Sequence, residues 1–193
     1  MLRKKKNETF ENSNSKQPTM TSRTAFEKVK EFNRAFGIEV PDEPVSHLGE
    51  VKPSILTLKM KLIKEEVQEL WDAVATDNLV ETVDALSDIV YVVYGMGIAL
   101  GVDLDHAFHR VHESNMSKLC SSQSEAEDTV KWYQEKFKAG ELPYDQPVWR
   151  VQNGRYIVLN ESTGKVLKSI HYHPVDLTPV LEKKKMISAS SFT

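Results

Sequence analysis

The chain has a single cysteine, Cys120, which excludes an internal disulfide framework and suits a reducing compartment, so a cytoplasmic location is the expectation. No Cys/His spacing suggests zinc. An excess of charge of either sign is also missing. With 25 Lys+Arg against 28 Asp+Glu, the net charge is −3, and there is no basic footprint for nucleic acid. The apolar run Ile89 to Leu100 is too short to span a bilayer and is flanked by acidic helix, so no membrane partner is expected. The Glu-x-x-His pairs of a di-iron carboxylate bundle are absent. The nearest acidic-x-x-His is Asp103 to His106, at a helix start. No internal repeat is evident.

What the sequence does have is carboxylate on two adjacent helical patterns. At 193 residues the chain is long enough for one domain with appendages and a real core. The spacing predicts helices over Leu62 to Ala75 and Leu79 to Leu100, joined by the turn residues Thr76-Asp77-Asn78 into an antiparallel hairpin. On the first, Leu56, Met60, Ile63, Val67, Leu70, Trp71 and Val74 form an apolar stripe, with Glu66 and Glu69 beside it and Glu65 further round. On the second, Leu79, Val83, Leu86, Val90, Val93, Tyr94 and Gly97 form the apolar side, while Glu81, Asp84 and Asp88 share another. Leu62 and Ala73 flank one acidic side, and Val92, Gly95 and Ala99 continue the other, so both are expected to be buried. Counting outward from the turn sets Glu69 opposite Asp84 and Glu66 opposite Asp88. Like charges converging in this way call for a cation between them. Oxygen donors alone suit a hard ion, Mg²⁺ or alternatively Mn²⁺.

Read in order, residues 1–22 form a basic and then Asn/Ser-rich tail, expected to be disordered. A first amphipathic helix spans Thr24 to Phe36, with Phe26, Val29, Phe32 and Phe36 as its core face. The alternative is that one of these aromatics, with Asn33, lines a pocket over the carboxylates. An extended Pro-rich connection, Val40 to Pro53, leads to Ser54 as a helix cap. After Gly101-Val102-Asp103 a helix over Leu104 to Lys118 ends in Val-His-Glu-Ser-Asn-Met-Ser-Lys. That end packs an amide, hydroxyls and a cation together, suited to gripping a base edge and phosphates. A further helix, Ser124 to Lys138, turns Val130, Tyr133 and Phe137 inward. From Pro147 the period changes to alternation with Asn153-Gly154 and Thr163-Gly164 turns, which predicts a small β-hairpin or meander over Val148 to Ile170. The expected layout is therefore an all-α antiparallel helix bundle over 23–140, a β-containing appendage over 141–181 and a disordered tail over 182–193.

Several of these segments resemble the all-α nucleoside triphosphate pyrophosphohydrolases, which include MazG-like proteins, phosphoribosyl-ATP pyrophosphohydrolase and dimeric dUTPases. Glu65-Glu66-x-x-Glu69 is similar to the family's Glu-Glu-x-x-Glu element, and Asp88 falls in its second acidic element. Residues 111–118 resemble the Val-His-x-x-Asn-Met-Ser-Lys segment of the MazG-like branch, and Glu31 to Gly37 resemble its first helix. Thr163 to Lys168, with Tyr172, Pro174 and Val175, is similar to the tail of phage and viral members. One departure is that the usual Glu-x-x-Asp would place its glutamate at Ala85, so either Asp84 or Glu81 completes the set.

The resemblance implies cleavage of a nucleoside triphosphate between the α and β phosphates, in a homodimer or homotetramer. In that reading Glu66, Glu69, Asp88 and Asp84 hold the metal, and Glu65 is the general base. Lys118 neutralises phosphate charge, while Phe32, Asn33, Phe36, His112 and Asn115 contact substrate. The competing class is a helical module that binds a nucleotide or a partner without turnover, its acidic hairpin serving as a structural metal clip.

Overall fold

The structure is a computed structural model that describes residues 23–182. The expected tails lie outside the described residues, Glu182 apart. Five helices occur in the order α1 (Ala25–Ala35), α2 (Pro53–Ala75), α3 (Leu79–Ala99), α4 (Leu104–Met116) and α5 (Gln123–Lys138), followed by a three-stranded antiparallel sheet. Its strands β1 (Pro147–Gln152), β2 (Arg155–Asn160) and β3 (Lys165–Val166) lie in the order β1-β2-β3. The expected class, a helical bundle with a small C-terminal β-meander, is what is found.

Local chemistry explains most of the boundaries. Thr24 caps α1 through a capping box with Glu27, and Asn78, Asp103 and Ser122 cap α3, α4 and α5. Helix α2 starts one residue earlier than the sequence suggests. Pro53 occupies its first turn and Ser54 is inside the helix, because the fixed φ of proline is already helical and its missing N–H costs nothing there. Asp77 takes φ 52° at the α2–α3 turn, and Asn153 and Gly154, at φ 51° and 73°, close the β1–β2 hairpin.

The apolar core sits elsewhere than expected. Cys120, Ala126, Tyr133, Val158 and Leu167 form a buried cluster joining α5 to the sheet, with Val130, Tyr144, Trp149 and Tyr156 against it. Helix α5 therefore packs as one unit with the β-strands, and Phe137 stays exposed rather than turning inward. Asn160, fully buried, ties the sheet to the preceding loop: its Oδ1 accepts from the Gln146 amide at 2.9 Å and its Nδ2 donates to Asp145 at 3.1 Å. The segment after β3 returns across α4, where Arg110 Nε donates to the Asp176 carbonyl at 2.6 Å and Ser114 Oγ to the His173 carbonyl at 2.8 Å.

The α2–α3 hairpin, by contrast, leaves its apolar stripes uncovered. Trp71 is 68% exposed, Leu79 75% and Val80 76%, and Met60, Val74, Val83, Leu86 and Val90 are also exposed. The buried positions are Ala73 on α2 and Ala85, Gly95, Gly97 and Ile98 on α3, with Gly97 set against Leu104 of α4. Helix α3 is 21 residues long with a hydropathy of 1.3. Taken whole, it is long and apolar enough to cross a membrane, which the shorter run Ile89 to Leu100 is not.

At the far end of the hairpin the chain turns tightly against the loop before α2. Gly101 has φ +69°, and a Cβ there would lie 2.0 Å from the Glu43 carbonyl oxygen. Gly101→Ala is expected to lower stability by about 2 kcal/mol or more, read as a drop in Tm. An unchanged Tm would show that this close approach does not hold the loop.

Candidate functional site

The carboxylates are set by the hairpin. Glu66 projects from α2 into the groove against α3 and is half-buried, while Glu65, Glu69, Asp84 and Asp88 are exposed on the same face. The expectation that the whole acidic side is buried is thus met only at Glu66. The remaining four are exposed.

Their proximity is felt at Glu66. Partial burial, then the negative charges of Glu69, Asp88, Glu65 and Asp84, in that order, raise its carboxyl above the usual glutamate range. Glu81 is not among the charges acting on it. It belongs to the first turn of α3, where its backbone N–H donates to the Asn78 cap at 3.2 Å. The donors are of the right kind for a hard divalent ion, all oxygen and all anionic. Among the described residues, however, no three Asp, Glu, His or Cys side chains are drawn together closely enough to form a metal-holding group. Glu65 pairs with Lys61 at 3.4 Å.

The remaining sequence candidates separate into two places. Asn33 is 3% exposed and lines a cavity of about 480 Å³ between α1, the 38–52 segment and α2. Phe32 and Phe36 do not line that cavity and do not form a core. They stack on each other at 4.4 Å on the outside of α1, with Phe32 edge-on to Tyr91 at 5.7 Å. Val29, one of the expected core residues, and Asn33 are the buried positions of that helix. Lys118 donates to Asn115 Oδ1 at 2.7 Å. The pair opens onto a cavity of about 300 Å³ against Gln152, Asn153 and Arg155 of the sheet, and that cavity contains none of the hairpin carboxylates. The reason is that the chain after Lys118 is held by the sheet, Cys120 N–H donating to the Tyr156 carbonyl at 3.0 Å. His112 is exposed on α4.

Residues 29–115 match the phosphoribosyl-ATP pyrophosphohydrolase family. This family belongs to the MazG-like all-α NTP pyrophosphohydrolase superfamily and is generally dependent on a divalent metal. The phosphoribosyl-ATP pyrophosphohydrolase match runs from Val29 in α1 to Asn115 in α4, so every hairpin carboxylate lies inside it and Lys118 just beyond. It points to pyrophosphohydrolase activity on nucleotides. An uncharacterised protein of Acanthamoeba polyphaga mimivirus is 28% identical, covering 82% of this chain and 96% of its own length. That coverage exceeds residues 1–115, so the likeness continues into α5 and the sheet.

One residue near the site escaped the sequence reading. Lys59 stands seven positions before Glu66 on the same face of α2, and its Nζ lies 3.3 Å from where a Cβ on Gly95 would be. Extending the column of Glu66 two turns toward the start of α2 would have found it.

The raised carboxyl of Glu66 has a measurable consequence. The folded chain binds that proton more tightly than the unfolded chain, so a stability penalty develops as pH rises from the ordinary glutamate range through the raised value and stays above it. Without divalent metal, Glu66→Gln is expected to raise Tm by a few degrees at neutral pH, with the gain disappearing well below the glutamate range. A Tm that falls at neutral pH would contradict the like-charge reading.

Proposed function

We propose that the protein is a metal-dependent nucleoside triphosphate pyrophosphohydrolase that cleaves the α–β phosphate bond of NTPs or dNTPs to give a monophosphate and pyrophosphate. The observation that carries this is the gathering of five carboxylates on α2 and α3, where Glu66 is pushed toward protonation first by partial burial and then by four neighbouring acids. Such a face is costly empty and favourable around a cation. Glu66, Glu69, Asp84 and Asp88 are the residues that would hold Mg²⁺, or Mn²⁺. When bound, the ion supplies charge neutralisation for the triphosphate and a more acidic water. Asp84 rather than Glu81 completes the set in this reading, since Asp84 acts on Glu66 and Glu81 does not.

Glu65 is the general base. It sits at the edge of the acidic face, paired with Lys61 at 3.4 Å. Asn33 contacts the nucleoside from its cavity. Lys118, Asn115 and His112 contact phosphate or base when their helix end meets an acidic face, and in the single chain they stand apart from it. The uncovered apolar stripe of α2 and α3 is closed by a second or further copies in a homodimer or homotetramer, which is also where such a meeting of elements takes place. We propose no role for nucleic acid or membrane, and a cytoplasmic location.

The experiment is direct: incubate full-length protein with Mg²⁺ and a panel of NTPs and dNTPs, and follow monophosphate and pyrophosphate. The wild type is expected to release both, and Glu69→Ala and Asp88→Ala to lose turnover by roughly a hundredfold or more with helicity retained. Turnover retained in both variants would sink the assignment. A second reading, a nucleotide-binding module without turnover, is favoured by the absence of any tightly drawn metal-holding group among the described residues. Nucleotide binding with no product formed would select it.

The oligomer is tested by light scattering. The expected mass is a twofold or fourfold multiple of the 22.0 kDa chain, and Leu86→Asp, which places a charge on the exposed stripe, is expected to return it to one chain. A wild type that stays monomeric would refute the proposal.

A further inference from the structure

Helix α4 commits one whole column of side chains to the segment that returns across it after the sheet. Arg110, Ser114 and Ser117 stand at i, i+4 and i+7, on one face of the helix. Arg110 Nε donates to the Asp176 carbonyl at 2.6 Å. Ser114, buried at 9% exposure, donates from Oγ to the His173 carbonyl at 2.8 Å and meets the Tyr172 hydroxyl at 3.2 Å. Ser117 Oγ accepts from the His173 N–H at 3.0 Å and donates to the Ser114 carbonyl at 2.8 Å. The two hydroxyls that the sequence offers for gripping a ligand are therefore used on residues 172–176 instead.

The returning segment is itself held at both ends. Tyr172 lies under the Lys168 ammonium, which is 4.3 Å from its ring centroid, and the Tyr172 N–H donates to the Ser169 carbonyl at 3.0 Å. The Ser169 N–H in turn donates to the Lys118 carbonyl at 3.3 Å. Beyond Asp176, Val180 is 6% exposed and lines a cavity with Phe26 of α1 and Ile98 of α3. A segment fixed in this way can brace what it touches. It touches the end of α4, where Met116 is the last helical residue and Ser117 the C-cap. A final helical turn has carbonyls without intrahelical partners and frays readily, and a lysine stem loses much rotamer freedom when it is ordered. Asn115 lies between the two serines and Lys118 just after them, with their side chains paired at 2.7 Å.

We infer that residues 172–176 form a strap that positions the end of α4 for its ligand, acting through Ser114 and Ser117 on Asn115 and Lys118. This rests on the reading in which Lys118 meets the phosphates of a nucleotide. Ser114 and Ser117 are positioning residues here and touch no phosphate themselves. The strap lies beyond residues 29–115, the part of the chain that matches the family, so through it the C-terminal appendage takes part in ligand binding.

Full-length wild type, Ser117→Ala, Ser117→Thr, Lys118→Ala and the Ser117→Ala/Lys118→Ala double variant are compared in two assays. One is hydrolysis of NTPs and dNTPs with Mg²⁺, and the other is calorimetric titration with inorganic pyrophosphate without divalent metal. For Ser117→Ala, KM is expected to rise roughly tenfold with kcat within about twofold of wild type, and pyrophosphate affinity to fall by a similar factor. Ser117→Thr, which keeps the hydroxyl, is expected to recover most of both. The double variant is expected to be no weaker than Lys118→Ala alone, because the hydroxyl acts through the lysine. A serine with only a structural role would lower Tm and leave KM and pyrophosphate affinity where they were. Arg110→Met, which releases the strap at Asp176 and leaves both serines in place, is expected to give the same split and carries the test if Ser117→Ala does not fold. Additive losses, no recovery in Ser117→Thr, an unchanged KM and pyrophosphate affinity, or no pyrophosphate binding by wild type would each overturn the inference. Coupling of Ser117 to Lys118 in pyrophosphate binding, by a wild type that hydrolyses nothing, would leave the inference standing and remove the proposed reaction. Hydrolysis by wild type with additive losses would do the reverse.

Discussion

Five carboxylates on one face of a helical hairpin set the terms for the rest of this structure. Glu65, Glu66, Glu69, Asp84 and Asp88 come from helices joined by a turn of a few residues, so the hairpin cannot open without loss of the packing that forms it. The small residues Ala73, Ala85 and Gly95 are buried in the hairpin, and the closeness of its helices brings the charges within reach of one another. In the half-buried member, Glu66, partial burial and then the neighbouring charges raise the carboxyl. Packing and repulsion therefore oppose each other in one groove, and a bound cation is the simplest way for both to be satisfied.

A second tension lies in where apolar surface is buried. The C-terminal half encloses its own core between α5 and the sheet, and the hairpin that bears the acids leaves Trp71, Leu79, Val80, Val83 and Leu86 open to solvent. Chain length does not explain this, because the residues of α5 and the sheet are used on each other rather than on α2 and α3. The segment 172–181 also returns to α4 instead of covering the stripe, as the Arg110–Asp176 and Ser114–His173 contacts record. The apolar stripe and the acidic face are two sides of the same hairpin, so covering one with another copy leaves the other free to work.

Approximate helix limits, turns and the acidic set were legible in the sequence because each depends on local rules: the Thr76-Asp77-Asn78 connection, the Asn153-Gly154 turn, and the helical spacing of the acids. What was illegible depends on tertiary choice. Phe32 and Phe36 read as core because aromatics at helical spacing usually are, yet Val29 and Asn33 are the residues that α1 buries. The Asn115 and Lys118 pair read as part of the acidic site, although the following residues pair with β2 and hold it against the sheet. Periodicity also cannot distinguish a stripe buried within the chain from one left exposed on it, and Val67, Trp71 and Val74 are of the second kind. Lys59 went unnoticed because a single lysine on a helix is ordinarily solvated.

The central claim is that the hairpin carboxylates form one divalent-cation site, and it is met most directly by titrating Mn²⁺ into full-length protein and following water-proton relaxation. The account expects saturable binding in the wild type that is lost in Asp88→Asn and in Glu69→Gln, with both variants folded. Absence of bound Mn²⁺ in the wild type, or binding untouched by either substitution, would contradict it.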